Sequence, residues 1–161
     1  MRLGKGTIFS KIDSGAYGDI FLNSVDGTVI KVFRKDNPLE HCREVYDNEI
    51  KAYSLALGDL NLKSYVPHYY GREQIDSVFD ENGVENTEKY FLDLNFKMEF
   101  VDGKFIKIGS PLVSSQEASQ VQGFFRQVGI NFLRDASVTL NQQGKIEKVI
   151  DFSLKEIELF W

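Results

Sequence analysis

The feature that most constrains the fold is a pair of glycines, Gly15 and Gly18, within the segment IDSGAYGDIF. Segments that alternate apolar and polar residues, TIFSKID before the glycines and DIFLNS after them, have the pattern of β-strands. The turn VDG and the β-branched segment TVIKVFRK follow directly. This order predicts three consecutive antiparallel strands, the first two joined by a glycine-containing turn.

The rest of the chain alternates between helical and strand patterns. Apolar residues recur at helical intervals from Pro38 to Leu57, and a second helix is predicted from Ser114 or Ser115 to a stop at Gly129. Strand patterns occupy SYVPHYYGRE, KYFLDLNFKMEFV and SVTLNQQGKIEKVIDF, the last with a turn near NQQG. The polar IDSVFDENGVENTE predicts an exposed loop or hairpin. The apolar end of the tail EIELFW either completes the core, which we favour, or offers a docking patch.

Length and composition limit the class of protein. A chain of 161 residues suits one domain with a real core, and the 42% hydrophobic content is that of a folded protein. The net charge of −5 comes without a Lys/Arg-dense block, so we expect no nucleic-acid or membrane-surface partner. Cys42 is the single cysteine, and no signal peptide or membrane span is visible. These features predict a cytoplasmic protein, although export without a cleavable signal would leave the same pattern.

A lysine lies inside the most apolar strand. Lys31 stands in VIKVF, and the helix that follows carries Glu49 near its middle as a counter-charge. A buried ammonium paired with a carboxylate is stable and can hold a polyphosphate. Two plainer readings stay open: the glycines form an ordinary hairpin, and Lys31 is solvated on a half-exposed sheet.

These residues in this order predict the α+β class and resemble the N-terminal lobe of the protein-kinase fold, an antiparallel five-stranded sheet with an αC-like helix. IDSGAYGDIF resembles the Gly-rich loop, with Asp13 in place of the first glycine, and VIKV resembles the VAIK strand. The resemblance implies that Lys31 contacts the α- and β-phosphates of ATP and pairs with Glu49. It also implies a loop that covers the phosphates, formed by Ser14, Gly15, Ala16, Tyr17 and Gly18.

FKMEFVDG resembles the strand-to-hinge segment that precedes the second kinase lobe. By this resemblance Met98 borders the adenine, and backbone groups of Glu99 and Val101 bond the base. The resemblance covers residues from about Thr7 to Asp102. It assigns residues 1–102 to an N-lobe-like part and 103–161 to a reduced C-lobe-like part of one domain.

The catalytic motifs of the second lobe are present only in part. VIDFS resembles the DFG segment, which makes Asp151 the best Mg²⁺ ligand, unless it only caps the tail. NFLRDASVTLN resembles an altered form of the catalytic loop, in which Asp135 is the base. The asparagine of the kinase motif does not occur here at its usual distance after the aspartate. Asn141 is therefore either a second metal ligand or only the start of a turn, and Ser137 is the alternative ligand.

Only ten residues follow Asp151, which implies a strongly truncated second lobe without an activation segment. The nearest comparison is with compact bacterial effector kinases of the OspG and NleH type. Two functions therefore remain. One is a minimal ATP- and Mg²⁺-binding kinase, either a reduced Ser/Thr-type phosphotransferase or a nucleotide-binding pseudokinase. The other is a non-catalytic interaction module, such as an effector or a toxin-neutralising partner. Both imply a protein partner or protein substrate, and neither fixes the oligomeric state.

Overall fold

The computed structural model describes residues 7–8, 10–23, 25–80 and 82–156. Its helices are α1, Leu39–Leu57, and α2, Ser115–Gln127, with a short 3₁₀ helix at Thr87–Lys89. The strands are β1 Thr7–Ile8, β2 Lys11–Ser14, β3 Gly18–Asn23, β4 Thr28–Arg34, β5 Tyr69–Gly71, β6 Ser77–Val78, β7 Tyr90–Glu99, β8 Ile106–Lys107, β9 Ser137–Leu140 and β10 Ile146–Ile150. The α+β class is confirmed.

The main sheet is antiparallel and has five strands in the order β2-β3-β4-β7-β5. Strands β2, β3 and β4 are consecutive neighbours, as predicted from the glycine-containing turn and from VDG. Strand β7 pairs with β4 on one side and with β5 on the other. As a result β4, which carries Lys31, is the middle strand. The sequence predicts these strands but not their order, since the order depends on the crossover through α1.

The prediction that TIFSKID is one strand is wrong. Ser10 has a left-handed backbone with φ of 72°, which separates β1 from β2. Strand β1 instead pairs in parallel with β6, with Thr7 opposite Ser77 and Ile8 opposite Val78. The segment predicted as an exposed loop or hairpin contributes the short strand β6, pairs Phe79 with Glu85 across its turn and buries the Val78 side chain.

Contacts divide the chain into two units. The first comprises Met1–Tyr46 and Tyr69–Phe100, and its apolar core contains Phe21, Val32, Ile75, Val78 and Tyr90. The second comprises Asp47–His68 and Val101–Trp161. Helix α1 begins in the first unit and continues in the second. The prediction of a single kinase-like domain divided at residue 102 stays a prediction.

The second unit contains a three-stranded sheet in the order β10-β9-β8, together with α2 and most of α1. Its large buried side chains include Leu62, Phe125, Ile130, Val138 and Phe152. Helix α2 begins as predicted, because the Ser114 hydroxyl accepts the Glu117 N–H at 3.1 Å. Gly129 follows the helix with φ of 90°, as expected for a stop. The apolar tail predicted to complete the core falls on residues 157–161, outside the described residues.

Candidate functional site

The glycine-containing turn is a tight connection between β2 and β3. The Gly15 N–H donates to the Gly18 carbonyl at 2.8 Å. A Cβ on Gly18 would lie 2.7 Å from the Val32 carbonyl oxygen, so β3 can approach β4 this closely only with glycine. A Cβ on Gly15 would meet only the Gly18 oxygen, at an ordinary 3.7 Å. The close packing of β3 against β4 is therefore enough to explain why residue 18 is a glycine.

Arg34, at the end of β4, fixes the turn through hydrogen bonds to its backbone. Its Nη2 donates to the carbonyl oxygens of Gly15 at 2.8 Å and Ala16 at 3.0 Å. Its backbone N–H donates to the Tyr17 carbonyl at 2.8 Å. The Asn37 side-chain amide adds a bond to Ala16 at 3.2 Å. The loop residues predicted to cover phosphates are therefore fixed by internal partners that the sequence analysis did not identify.

Asp19 anchors this arginine. Its side chain is almost fully buried and pairs with Arg34 Nη1 at 2.7 Å. It also accepts hydroxyl hydrogen bonds from Ser14 and from Tyr90, each at 2.5 Å. Burial alone would raise the pKa of Asp19, but the hydrogen bonds from Ser14, Tyr90 and Arg34 outweigh it and the pKa lies below its usual value. Asp19 is therefore a buried anion and Arg34 its counter-charge.

Lys31 lies at the centre of the five-stranded sheet. It pairs with Ile20 on β3 and with Phe96 on β7, and its side chain is half-buried. Its Nζ lies 5.0 Å from the centre of the Phe33 ring and 6.0 Å from that of Phe96. Aromatic faces attract a cation, so the two rings favour a position of the ammonium close to the sheet.

Met98 and Glu99, predicted to border adenine, are the last two residues of β7 and are half-buried. They pair with Val29 and Thr28 of β4. Val101 follows the strand and belongs to the second unit. Their contact with a base stays a prediction.

In the second unit, Glu49 and Tyr53 lie one turn apart on α1. The Tyr53 side chain is buried, and its ring lies 4.4 Å from that of Phe152. Burial, then the charges of Asp151 and Glu49, raise the pKa of the Tyr53 hydroxyl well above its usual value, although the hydroxyl accepts a hydrogen bond from the Asp151 backbone N–H. Two predicted site residues that are far apart in sequence therefore lie near one buried hydroxyl.

Asp151 has a left-handed backbone with φ of 63° and an exposed side chain. The residue after it, Phe152, is buried and also contacts Phe125, with ring centres 4.9 Å apart. Left-handed backbone is uncommon outside glycine, although aspartate tolerates it better than most residues. The anchored phenylalanine and the unusual φ present the carboxylate at the surface of the second unit.

The remaining predicted residues lie around β9. Asp135 is exposed, and its carbonyl oxygen accepts a bond from Lys107 Nζ at 2.9 Å. Ser137 begins β9 and is buried. Asn141 begins the β9–β10 turn, where its side-chain oxygen accepts the N–H groups of Gln143 at 2.9 Å and Lys145 at 3.0 Å. The turn thus gives Asn141 a structural role, which was the second of the two predicted readings.

Within residues 7–8, 10–23, 25–80 and 82–156, no group of three or more His, Cys, Asp or Glu side chains could hold a metal ion. In the same part of the chain, neither helix has the length and apolar character needed to cross a membrane. Lys31 belongs to the first unit and Glu49 to the second, and their ion pair stays a prediction.

No protein-family model matches this sequence, and no curated protein matches it at a significant level. The functional interpretation therefore depends on the geometry of the chain itself.

Proposed function

We propose that this protein is a reduced protein-kinase-like protein that binds ATP with Mg²⁺. The observation that carries the proposal is the proximity of Glu49 and Asp151 to the Tyr53 hydroxyl within the second unit. The kinase resemblance selects Glu49 and Asp151 independently, from motifs about a hundred positions apart in the sequence. Glu49 lies one turn before Tyr53 on the same helix, so the part of this arrangement that supports the resemblance is the placement of Asp151 near that turn of α1.

The first unit supports the proposal through Lys31. Its ammonium lies 5.0 Å from the centre of the Phe33 ring and 6.0 Å from that of Phe96, and these rings attract the cation to the surface of the sheet. Its role is to neutralise the negative charge of the α- and β-phosphates. Because the Gly15 N–H already donates to the Gly18 carbonyl, it is not available to a phosphate oxygen, and we assign the larger share of phosphate binding to Lys31.

Asp151 is the residue that fits Mg²⁺. Its carboxylate is exposed, its backbone is held in an unusual conformation, and the buried Phe152 beside it fixes its position. Magnesium is usually bound in proteins by one or two carboxylates together with phosphates, so a larger cluster of acids is not required. When bound, the ion neutralises charge on the phosphates.

We favour nucleotide binding without phosphoryl transfer. The Asn141 oxygen that would be the second metal ligand is used inside the β9–β10 turn. Asp135 is exposed and can accept a proton from a hydroxyl substrate, so the reduced Ser/Thr-type phosphotransferase is the form that an active protein would take.

A second candidate function is a non-catalytic interaction module with a kinase-like fold, such as an effector or a toxin-neutralising partner. The observation that favours it is the pair of hydrogen bonds from Arg34 Nη2 to the carbonyl oxygens of Gly15 and Ala16. These bonds hold the turn through contacts within the protein itself. A protein of this kind would act through its surface and would not need a nucleotide.

Thermal unfolding with ATP and Mg²⁺ separates these functions. At a hundred times its dissociation constant, a ligand stabilises the folded state by about 2.7 kcal/mol. We expect a clear rise in melting temperature for the wild type and loss of its Mg²⁺-dependent part in Asp151→Asn. Asp93→Asn, which changes an exposed carboxylate on β7, is the matched control and should behave like the wild type.

If neither ATP alone nor ATP with Mg²⁺ shifts the melting temperature, nucleotide binding is wrong and the interaction module remains. If the shift appears, transfer of radiolabelled phosphate to the protein itself or to a co-purifying partner decides between enzyme and pseudokinase. In an active enzyme, both Asp135→Asn and Asp151→Asn should abolish the transfer.

A further inference from the structure

Arg34 uses its whole guanidinium group inside the first unit. Each of the five N–H donors of this group has a partner at 2.7 to 3.1 Å: the carboxylates of Asp36 and Asp19, the Ser14 hydroxyl, and the carbonyl oxygens of Gly15 and Ala16. An ion pair with a carboxylate occupies at most two of these donors. The bonds that Arg34 makes to the turn therefore require a separate explanation.

These bonds give the carbonyl groups of the turn a common direction. The oxygens of Gly15 and Ala16 accept from Arg34 Nη2, and the oxygen of Tyr17 accepts from the Arg34 backbone N–H at 2.8 Å. The Asn37 side-chain amide adds a second bond to Ala16 at 3.2 Å. Three consecutive carbonyl groups are thus held on the side of Arg34.

The N–H groups between these carbonyls point the opposite way. In a planar trans peptide unit, the C=O of one residue and the N–H of the next are antiparallel. Because the Gly15 and Ala16 carbonyls face Arg34, the N–H groups of Ala16 and Tyr17 face away from it. Within the part of the chain that the structure describes, neither of these N–H groups donates a hydrogen bond. Gly15 and Ala16 are exposed, so the two donors are open to water or to a ligand.

We propose that Arg34 is a positioning residue: by holding the carbonyls of the turn, it directs the N–H groups of Ala16 and Tyr17 toward the phosphate oxygens of the nucleotide. This inference rests on the proposed function. Successive backbone N–H groups in a turn form a concave site that suits an anion. Arg34 itself contacts no phosphate, because its donors are already in use. The turn is ordered before the nucleotide binds, so its ordering does not reduce the affinity.

Two variants separate the position of the turn from the buried ion pair. Arg34→Lys keeps a cation beside Asp19, but a single ammonium cannot replace the planar group that reaches Asp19 and the turn carbonyls together. Asn37→Ala leaves the pair of Arg34 with Asp19 intact and removes only the second bond to Ala16, so it should fold even if Arg34→Lys does not. Arg43→Lys is the matched control, since Arg43 is an exposed arginine on α1 within the first unit.

The first measurement is the backbone order parameter of the Ala16 and Tyr17 amides, obtained from nitrogen relaxation in the protein without nucleotide. A rigid backbone gives a value of about 0.85, and a flexible one gives less than about 0.6. We expect the first value in the wild type and in Arg43→Lys. Arg34→Lys should fall to the second, with Asn37→Ala between them.

The second measurement compares the affinity for ATP, with Mg²⁺, with the affinity for adenosine, which has no phosphates. Binding of ATP should weaken about 10-fold in Arg34→Lys and about 3-fold in Asn37→Ala, because hydrogen bonds to a charged group are lost in part. Binding of adenosine should stay the same in both variants. A general loss of structure would weaken both ligands equally, so the ratio of the two affinities reports on the position of the turn.

A mobile turn in the wild type, or equal order parameters in the wild type and both variants, would overturn the inference whether or not ATP binds. A mobile turn in a variant whose ratio of ATP to adenosine affinity is unchanged would overturn it as well, because the N–H groups would then have no role toward phosphate. An ordered turn in a wild type that binds no ATP would instead refute the proposed function, and with it the role of Arg34 toward a nucleotide.

Discussion

Replacing Asp19 with asparagine tests the buried network beneath the glycine-containing turn. The change keeps the shape of the side chain but removes its negative charge. In the wild type the carboxylate accepts bonds from Ser14 at 2.5 Å, Tyr90 at 2.5 Å and Arg34 at 2.7 Å. Asparagine keeps one acceptor oxygen and places an N–H₂ group opposite at least one of these donors.

The expected loss of stability follows from the burial of the pair. The side chains of Asp19 and Arg34 are only 3% and 19% exposed, so solvent screens their attraction weakly. Removing one partner of a buried pair typically costs about 3–5 kcal/mol. Arg34 keeps a second carboxylate, Asp36 at 2.8 Å, so we expect a value near the lower end, about 3 kcal/mol.

The effect should also depend on pH. The pKa of Asp19 is lower in the folded protein than its ordinary value of about 3.9, so the folded state binds fewer protons at this group than the unfolded state. Its stabilising contribution is therefore complete above about pH 4 and decreases as the pH falls toward the folded pKa. The difference in stability between wild type and Asp19→Asn should be constant near neutrality and shrink below about pH 4.

Urea unfolding at neutral and acidic pH measures both effects. Asp26→Asn is the matched control: Asp26 pairs with Lys97 at 3.2 Å but is 40% exposed, so its loss should cost no more than about 1 kcal/mol. If Asp19→Asn costs as little as Asp26→Asn, or if its effect grows on acidification, the description of Asp19 as a buried, stabilising anion is wrong.

Four further substitutions have expected effects on stability that urea unfolding can measure. Gly18→Ala should destabilise by about 1–3 kcal/mol, because its Cβ would lie 2.7 Å from a backbone oxygen, whereas Gly15→Ala should change stability by less than about 0.5 kcal/mol; equal effects would contradict this. Asn95→Ala should cost about 3 kcal/mol, since the buried amide makes three hydrogen bonds to backbone groups, and a loss under 1 kcal/mol would refute it. Arg134→Ala should cost no more than about 0.5 kcal/mol, because Arg134 and Glu156 are 72% and 53% exposed; a larger loss would indicate a structural role.

The sequence predicts the local elements of this fold well. The hairpins β2–β3 and β3–β4, helix α1 and the Ser114 cap of α2 each depend on residues close together in the chain. The break at Ser10 and the pairing of β1 with β6 were missed, because that partner strand lies in a segment with the composition of a loop. The sequence analysis makes no prediction of the order of the strands in the sheet, since hydrophobic patterns do not report which strands become neighbours.

The candidate site shows the same division. Motifs select Lys31 in the first unit and Glu49 and Asp151 in the second as predicted site residues, but the side chains that contact them within each unit do not follow from the sequence. Tyr53 matches the apolar face of α1, and nothing local indicates that its hydroxyl reaches Asp151. The partners Asp19 and Tyr90 are separated by 71 positions. Contacts of this kind arise from packing of distant segments, so only a three-dimensional structure reveals them.

Equilibrium titration of the protein with ATP and Mg²⁺ tests the central claim most directly. The account predicts saturable binding by the wild type and a loss of at least about tenfold in Lys31→Met, the equivalent of about 1.4 kcal/mol. Lys35→Met is the control, because the Lys35 ammonium also lies over an aromatic ring, 5.8 Å from Phe91, and has no proposed role. Binding that is absent in the wild type, or equal in all three folded proteins, would contradict the account.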